Sequence, residues 1–175
     1  MKIGVIGAGA AGLIAGAFAA KGGARVDIID RNEKTGKKLF LTGKGRCNIT
    51  NSADIDAFLK NVPHNGRFLY SAFDGFFNDD IIGLINSCGV RTKLERGGRY
   101  FPESDKSSDV IRALQTNAVR CGANIVLNSR VSSVSKTEDG GFRLCFENGQ
   151  KKYYDKVIIA TGGASYPSTG STGDG

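Results

Sequence analysis

The stretch KIGVIGAGAAGLIAGAFAAKGGARVDIID, residues 2–30, decides the fold. It opens with a short β-branched run that stops at Gly7, and the following AAGLIAGAFAAK reads as a small-residue helix closed by Gly22 and Gly23. ARVDIID then reads as a second buried strand. Strand, glycine turn, helix and strand in this order make the βαβ unit of a parallel, doubly wound sheet. The same stretch holds 18 uncharged residues, 3–20, a length that also suits a signal peptide or a marginal membrane span. Gly4, Gly7, Gly9, Gly12 and Gly16 interrupt that run, and three of them stand in a register with a mechanical reason of its own. The βαβ reading is therefore preferred, and no membrane partner is expected.

Gly7, Gly9 and Gly12 form G-x-G-x-x-G between a strand and a helix. The first glycine lets the chain turn sharply, the second lets a pyrophosphate touch backbone, and the third lets helix and strand pack closely. The helix start offers free N–H groups and a positive dipole end to the phosphates. Asp30 ends the second strand 18 residues after Gly12. A carboxylate there accepts hydrogen bonds from the ribose hydroxyls of an adenosine and repels a 2′-phosphate. These residues predict a Rossmann-type α/β domain that binds an adenine dinucleotide, either NAD or FAD.

Composition narrows the partners. A chain of 175 residues buries about two-thirds of its unfolded surface, enough for one core. Its 25 glycines are close to twice the usual frequency of about 7%. The formal charge is +7, but the 24 Lys and Arg are spread along the chain, with only a modest density over residues 34–46. That pattern fits a phosphate-facing loop and a solvated surface, so no nucleic-acid partner is expected. Cys47, Cys88, Cys121 and Cys145 contain no C-x-x-C pair, which argues against zinc or a thioredoxin-type site and for reduced thiols in a cytoplasm.

Beyond Asp30 the pattern alternates. Residues 54–77 read as helical around a break at 63–66, with Phe58, Phe68, Ala72, Phe73 and Phe76 forming an aromatic and apolar stripe expected to be core. Asn78 is expected to cap the next helix, residues 90–101 to form a hairpin turning at Gly97 and Gly98, and Ser107 or Ser108 to cap an amphipathic helix ending at Gly122. NIVLNSRVSSVSKT, GFRLCFE, KKYYDK and KVIIATGG then read as strands separated by EDGG and NGQ turns. The expectation is one FAD-binding domain over 1–175: a parallel sheet with a crossover β-meander, and a helical and hairpin insertion at about 54–106. The ending, SYPSTGSTGDG, stops inside a glycine-rich loop, so the chain is expected to be the N-terminal portion of a longer protein.

FLTGKGRCNIT, residues 40–50, places two glycines, a lysine, an arginine and a cysteine in one loop. VIGAGAAGLIAG, GKKLFLTGKGRCNITN, GGRYFPESDKSSDV and ATGGASYPSTGSTGDG together resemble, in order and spacing, the BaiN-like NAD(P)/FAD-dependent oxidoreductases. More distantly, the pairing of the dinucleotide motif with ATGG and TGDG is similar to the flavin subunits of fumarate reductase, succinate dehydrogenase and L-aspartate oxidase. The resemblance covers essentially the whole chain, with the GRCN-x-TN loop its most specific part. It implies non-covalent FAD, since the loop has no histidine of the kind that attaches the cofactor in the fumarate reductase relatives. The adenosine would lie at Asp30 and the pyrophosphate at Gly9, Ala10 and Ala11, with Arg31 and Lys38 also among the cofactor-binding residues. The loop of Thr42, Gly43, Gly45, Arg46, Cys47 and Asn48 would follow the ribityl and flavin portion, Lys44 and Arg46 balancing phosphate and reduced-flavin charge. Val131 would meet the adenine through its backbone; Ala160, Thr161 and Gly162 would pass the dinucleotide, and Asp174 would bond the flavin end.

Cys47 beside Arg46 has two readings, a low-pKa thiol near the flavin or a small buried residue under the loop; with no second cysteine or histidine nearby, the latter is preferred. His64 is expected on the surface, and Tyr100 and Arg99 have packing explanations as good as catalytic ones. The expected function is a flavin-dependent oxidoreductase that moves hydride through flavin N5 to or from a small organic substrate. Reduction of a C=C bond with NAD(P)H is within that reading, as is oxidation of a small amine or hydroxyl compound. The alternative is a non-catalytic adenine-dinucleotide module. The catalytic acid or base is not assigned from the sequence, and weak FAD retention with little turnover is expected of these 175 residues alone.

Overall fold

The computed structural model describes residues 1–164 and Gly173. A four-stranded parallel sheet forms the centre, in the order β10 (Lys156–Ile159), β1 (Lys2–Ile6), β2 (Arg25–Ile29), β6 (Asn124–Val126). Ile6 stands level with Ile29 on one side and Ile159 on the other, so three strands end at one edge. Helix α1 (Ala10–Lys21) crosses from β1 to β2 and buries Gly12, Leu13, Gly16, Ala17 and Ala20. Small residues are required on that face, because a Cβ on Gly16 would press into the Ile28 side chain. Of the uncharged run 3–20, β1 takes the start and the 12-residue α1 the rest. Among the described residues no helix is long and apolar enough to cross a membrane.

Helix α6 (Ser107–Arg120) packs beside α1, and Val110, Leu114 and Ala118 join Ile3, Val5, Leu13 and Ile28 in the main core. The other sheet face is covered by an antiparallel meander of β7 (Val131–Lys136), β8 (Phe142–Phe146) and β9 (Lys151–Tyr154). Leu144, Phe146 and Tyr154 pack there on Ile29. The single strand read across NIVLNSRVSSVSKT is in fact two. The chain leaves the central sheet after Val126, turns at Asn128 (φ 52°), and re-enters as β7 in the meander.

Between β2 and α6 lie α2 (Lys37–Leu41), α3 (Ile55–Lys60), α4 (Tyr70–Gly75) and α5 (Asn78–Ser87). With them is a small antiparallel sheet in the order β3 (Thr50–Asn51), β5 (Arg99–Pro102), β4 (Thr92–Glu95). Phe58, Phe73 and Phe77 meet edge-on or tilted, with centroids 4.9–5.4 Å apart, and Phe76 reaches Phe18 of α1. None of the stripe joins the core: Phe58, Phe73 and Phe76 are half-buried, Phe68 is 86% exposed and Ala72 is exposed. Gly66–Leu69 forms a 3-10 turn, whose period of about 3.0 residues rotates Phe68 out of the α-helical stripe. Both expected caps are displaced. Asn78 is the first residue of α5 and donates to Asn51 O and Ala53 O, while Asp80 accepts from Phe77 N. Ser107 is the first residue of α6 and donates to Phe40 O, leaving Lys106 in the cap position without a side-chain bond.

Candidate functional site

Strand order reverses between β1 and β10, since α1 carries the chain from β1 to one side and β10 returns on the other. The carboxyl ends of strands at such a switch point form the crevice where doubly wound sheets take their ligands. The three glycines of the first turn meet different surroundings there. Gly7 (φ 111°) turns the chain, and a Cβ on it would run into the Ala160 carbonyl. A Cβ on Gly12 would run into the Gly7 carbonyl oxygen, so this glycine sets the helix-to-strand approach. Among the described residues, Gly9 has no atom within 4 Å of where its Cβ would be. It is the glycine of the turn that faces open space, where backbone can meet a ligand. Gly9 caps α1 without a side-chain bond and the first turn has no acidic residue, so the Ala10 and Ala11 end of the helix is left to an anion.

Next to this turn is a cleft of about 650 Å³ lined by Gly7, Asp30, Arg31, Asn32, Arg130, Val131 and Thr161, among others. Five residues expected from the sequence at the cofactor, Gly7, Asp30, Arg31, Val131 and Thr161, thus converge on one cavity. Asp30 is held in place by its own backbone neighbours. Its Oδ2 accepts from Ala8 N at 2.7 Å, and its Oδ1 accepts from Asn32 N and Asn32 Nδ2 at 2.8 Å each. Of the about four lone-pair sites on a carboxylate, three are used and about one, on Oδ2, remains for a ribose hydroxyl. Val131 enters the cleft because the chain turns at Asn128, where Asn128 N donates to Asn32 O and Ser129 N to Asp30 O. Asn32 and Ser129 were missed in the sequence, though Asn128, at the strand break beside them, carries a readable left-handed signal.

Thr42, Gly43, Gly45, Arg46, Cys47 and Asn48 are not in that cleft. They form a separate turn after α2, tied to the first by Gly36 N donating to Ala8 O. Gly43 (φ 58°), Lys44 (58°), Gly45 (86°) and Cys47 (64°) are all left-handed. For Lys44 and Cys47 that conformation costs about 1–2 kcal/mol each, so the surroundings must hold it. Gly43 is walled in by Asn48 N and Phe101, whereas among the described residues nothing approaches where a Cβ on Gly45 or Gly162 would be, as at Gly9. Thr42 Oγ1 donates to Leu39 O, and Lys38, Lys44 and Asn48 are exposed. Ala160 is fixed by its N–H donating to Ile6 O. Asp174 lies outside the described residues.

Arg46 does not stand free to balance a cofactor anion. Its Nη1 donates to Glu95 Oε1 at 3.0 Å, Glu95 Oε2 at 3.1 Å and Asp105 Oδ1 at 3.2 Å, and its guanidinium lies 4.1 Å from the Phe101 ring centre. Lys93 Nζ closes the ring at 2.7 Å from Asp105 and 3.4 Å from Glu95. The lysine holds the Asp105 carboxyl below its usual range, and Asp105 holds the Lys93 ammonium above its own. Two carboxylates facing one arginine explain its direction. Cys47 is fully buried in the main core, and burial pushes its thiol up against a smaller opposing effect of Thr42. A thiol so placed is a packing group at neutral pH. His64 is exposed, and Tyr100 is half-buried opposite Thr50.

With this geometry in place, the sequence matches the HI0933-like protein Rossmann domain family over residues 1–175. The chain belongs to the HI0933-like Rossmann family. The BaiN-like flavoproteins that its motifs resemble are members of the same family. The chain is 37% identical over 169 residues to the ribosomal RNA dihydrouridine synthase of Escherichia coli (strain K12), covering 96% of this chain and 41% of that protein. It is 36% identical over 177 residues to the 3-dehydro-bile acid delta(4,6)-reductase of Clostridium scindens, covering 99% of this chain and 42% of that protein. The HI0933-like chain therefore spans about two-fifths of the length of these curated relatives. Among solved structures it is similar in fold to the halogenase PltM in complex with phloroglucinol and FAD, with a TM-score of 0.53, 20% identity, and coverage of 95% of this chain and 35% of that one.

Proposed function

We propose that the chain is the FAD-binding part of a flavin-dependent oxidoreductase that reduces a carbon–carbon double bond in a small organic substrate, with NAD(P)H as electron donor. The observation that carries this reading is the convergence of Gly7, Asp30, Arg31, Val131 and Thr161 on one cleft at the switch point. The fit to FAD is supported by the open faces of Gly9, Gly45 and Gly162, where a Cβ would occupy the path of an extended dinucleotide. Asp30 would bond the ribose, the Ala10 and Ala11 N–H groups the pyrophosphate, and the turn at residues 42–48 the flavin-bearing half. Bound FAD supplies hydride transfer at its N5. The chain itself contributes binding and orientation: Asp30 disfavours a 2′-phosphate by charge, and the strained turn presents backbone rather than side chain beside Gly45.

The double-bond reading draws on the two relatives' names, since a dihydrouridine synthase and a delta(4,6)-reductase both saturate such a bond. A second reading places that bond in a uracil base of ribosomal RNA, favoured by the name shared by relatives at 37% and 34% identity. In support of the small substrate, Arg46, Arg91, Lys93, Arg112 and Arg130 are each paired with a carboxylate. The test is anaerobic bleaching of the flavin band near ~450 nm by NADH or NADPH, followed by mixing with a conjugated enone steroid or with uridine-containing ribosomal RNA. Reoxidation by the enone, slow in these 175 residues alone, is the expected result. Reoxidation by RNA alone selects the second reading, and retained flavin that neither acceptor reoxidises returns the non-catalytic module.

A further inference from the structure

The turn at residues 43–47 holds four left-handed residues out of five, and two of the four carry side chains. Such a turn does not keep its shape by local preference. Besides its own backbone bonds, Arg46 N to Gly43 O and Cys47 N to Thr42 O, and the burial of Cys47, two further side-chain contacts hold it. Phe101, almost fully buried on β5, lies beneath Gly43, and the Arg46 guanidinium stacks on the same ring. The far side of that guanidinium is bound by Glu95 from β4 and Asp105 from the turn after β5, and Lys93 joins the two carboxylates. The ring spans 49 residues from Arg46 to Glu95 and 59 from Arg46 to Asp105. It fastens the cofactor-side turn to the inserted hairpin without entering the adenosine cleft, whose lining includes none of its members.

We propose that Glu95 and Asp105 are positioning residues for the cofactor: by holding Arg46 on Phe101 they fix the turn at residues 43–47 in the shape that receives the flavin-bearing half of FAD. The inference rests on the FAD reading above. Its particular content is that two carboxylates outside the dinucleotide motif control one half of the cofactor and not the other. ADP carries only the adenosine and pyrophosphate half, so it separates the two effects.

The experiment is calorimetric titration of FAD and of ADP into the wild-type chain and into E95Q, D105N and the double variant, with visible circular dichroism of the bound flavin as a second signal. The variants are expected to weaken FAD by roughly three- to thirty-fold, the span seen for residues that act on a site without touching the ligand. ADP affinity is expected to stay within about twofold, and the flavin dichroism to change. If the double variant does not fold, E95D and D105E keep each charge and move it by one methylene, and carry the same comparison. Parallel weakening of ADP, or FAD affinity equal to wild type, overturns the proposal, as does a wild-type chain that binds FAD no more tightly than ADP. A wild-type chain that binds neither ligand overturns the FAD reading itself, a result visible before any variant is made.

Discussion

The two ends of the candidate cofactor path are built by different means. At the adenosine end the shape comes from the sheet: three strands stop level, Gly7 and Gly12 are packed against backbone, and Asp30 is pinned by Ala8 N, Asn32 N and Asn32 Nδ2. At the other end the backbone is left-handed at four positions and is held by a half-exposed ring of two cations and two carboxylates. The first end is determined largely by backbone packing around Asp30. The second depends on charges that solvent screens. An adenine-nucleotide site can therefore persist when the flavin end is lost, and the two ends can be broken separately.

The largest effect is expected at Gly12. Gly12→Ala drives a methyl into the Gly7 carbonyl at the centre of the βαβ unit, and overpacking against backbone costs about 3 kcal/mol. Calorimetry should show a Tm lower by roughly 6–12 °C, with binding lost at both ends. Gly9→Val tests the opposite case. Its side chain enters open space, so Tm should move by no more than about 2 °C while FAD and ADP both weaken at least about tenfold, the loss of one hydrogen bond to a charged group. A Gly9→Val chain that binds normally would place the pyrophosphate elsewhere.

Acid and alkali should act on different groups of the molecule. Asp105 is held below the ordinary carboxylate range, so its contribution is present above about pH 4 and is lost as pH falls through the lower folded value. FAD affinity should fall in that acid window while ADP affinity changes less, measured by titration at stepped pH. Tyr154 donates to Asp27 Oδ2 at 2.9 Å and packs under Gly4, and burial followed by Asp27 pushes its hydroxyl well above the usual tyrosine range. A raised tyrosine stabilises fully below its unfolded value of about 10 and loses that contribution as pH rises toward the folded one. Stability of the wild type should therefore decline with rising pH above about 10, and Tyr154→Phe should flatten that slope in pH-dependent denaturation. The smallest expected effect is chemical. Cys47 should resist alkylation in the native protein while Cys88, Cys121 and Cys145, none fully buried, react first, as peptide mass spectrometry would show.

The same division explains what was legible in the sequence. β1, α1 and β2, with Gly7, Gly9, Gly12 and Asp30, follow from a strand pattern and glycine mechanics contained in one short stretch. Val131 and Thr161 were reached through the family motifs, and the meander brings Val131 to Asp30 because Asn128 turns the chain there. Arg46 was read as an anion partner because its carboxylates, Glu95 and Asp105, are distant in sequence and only the hairpin brings them back. Phe68 was misplaced because helical spacing continues through a 3-10 turn that changes the period. Asn78 and Ser107 missed the cap position by one residue, each because its side chain is drawn instead to a carbonyl elsewhere in the fold.

The most direct test of the central claim is to equilibrate the chain with FAD, record the visible circular dichroism of the bound flavin, and then titrate ADP against it. The account predicts a band near ~450 nm that ADP displaces competitively, with 2′,5′-ADP displacing it far less because Asp30 opposes a 2′-phosphate. Flavin that is retained but indifferent to ADP, or a chain that holds no flavin at all, would contradict it.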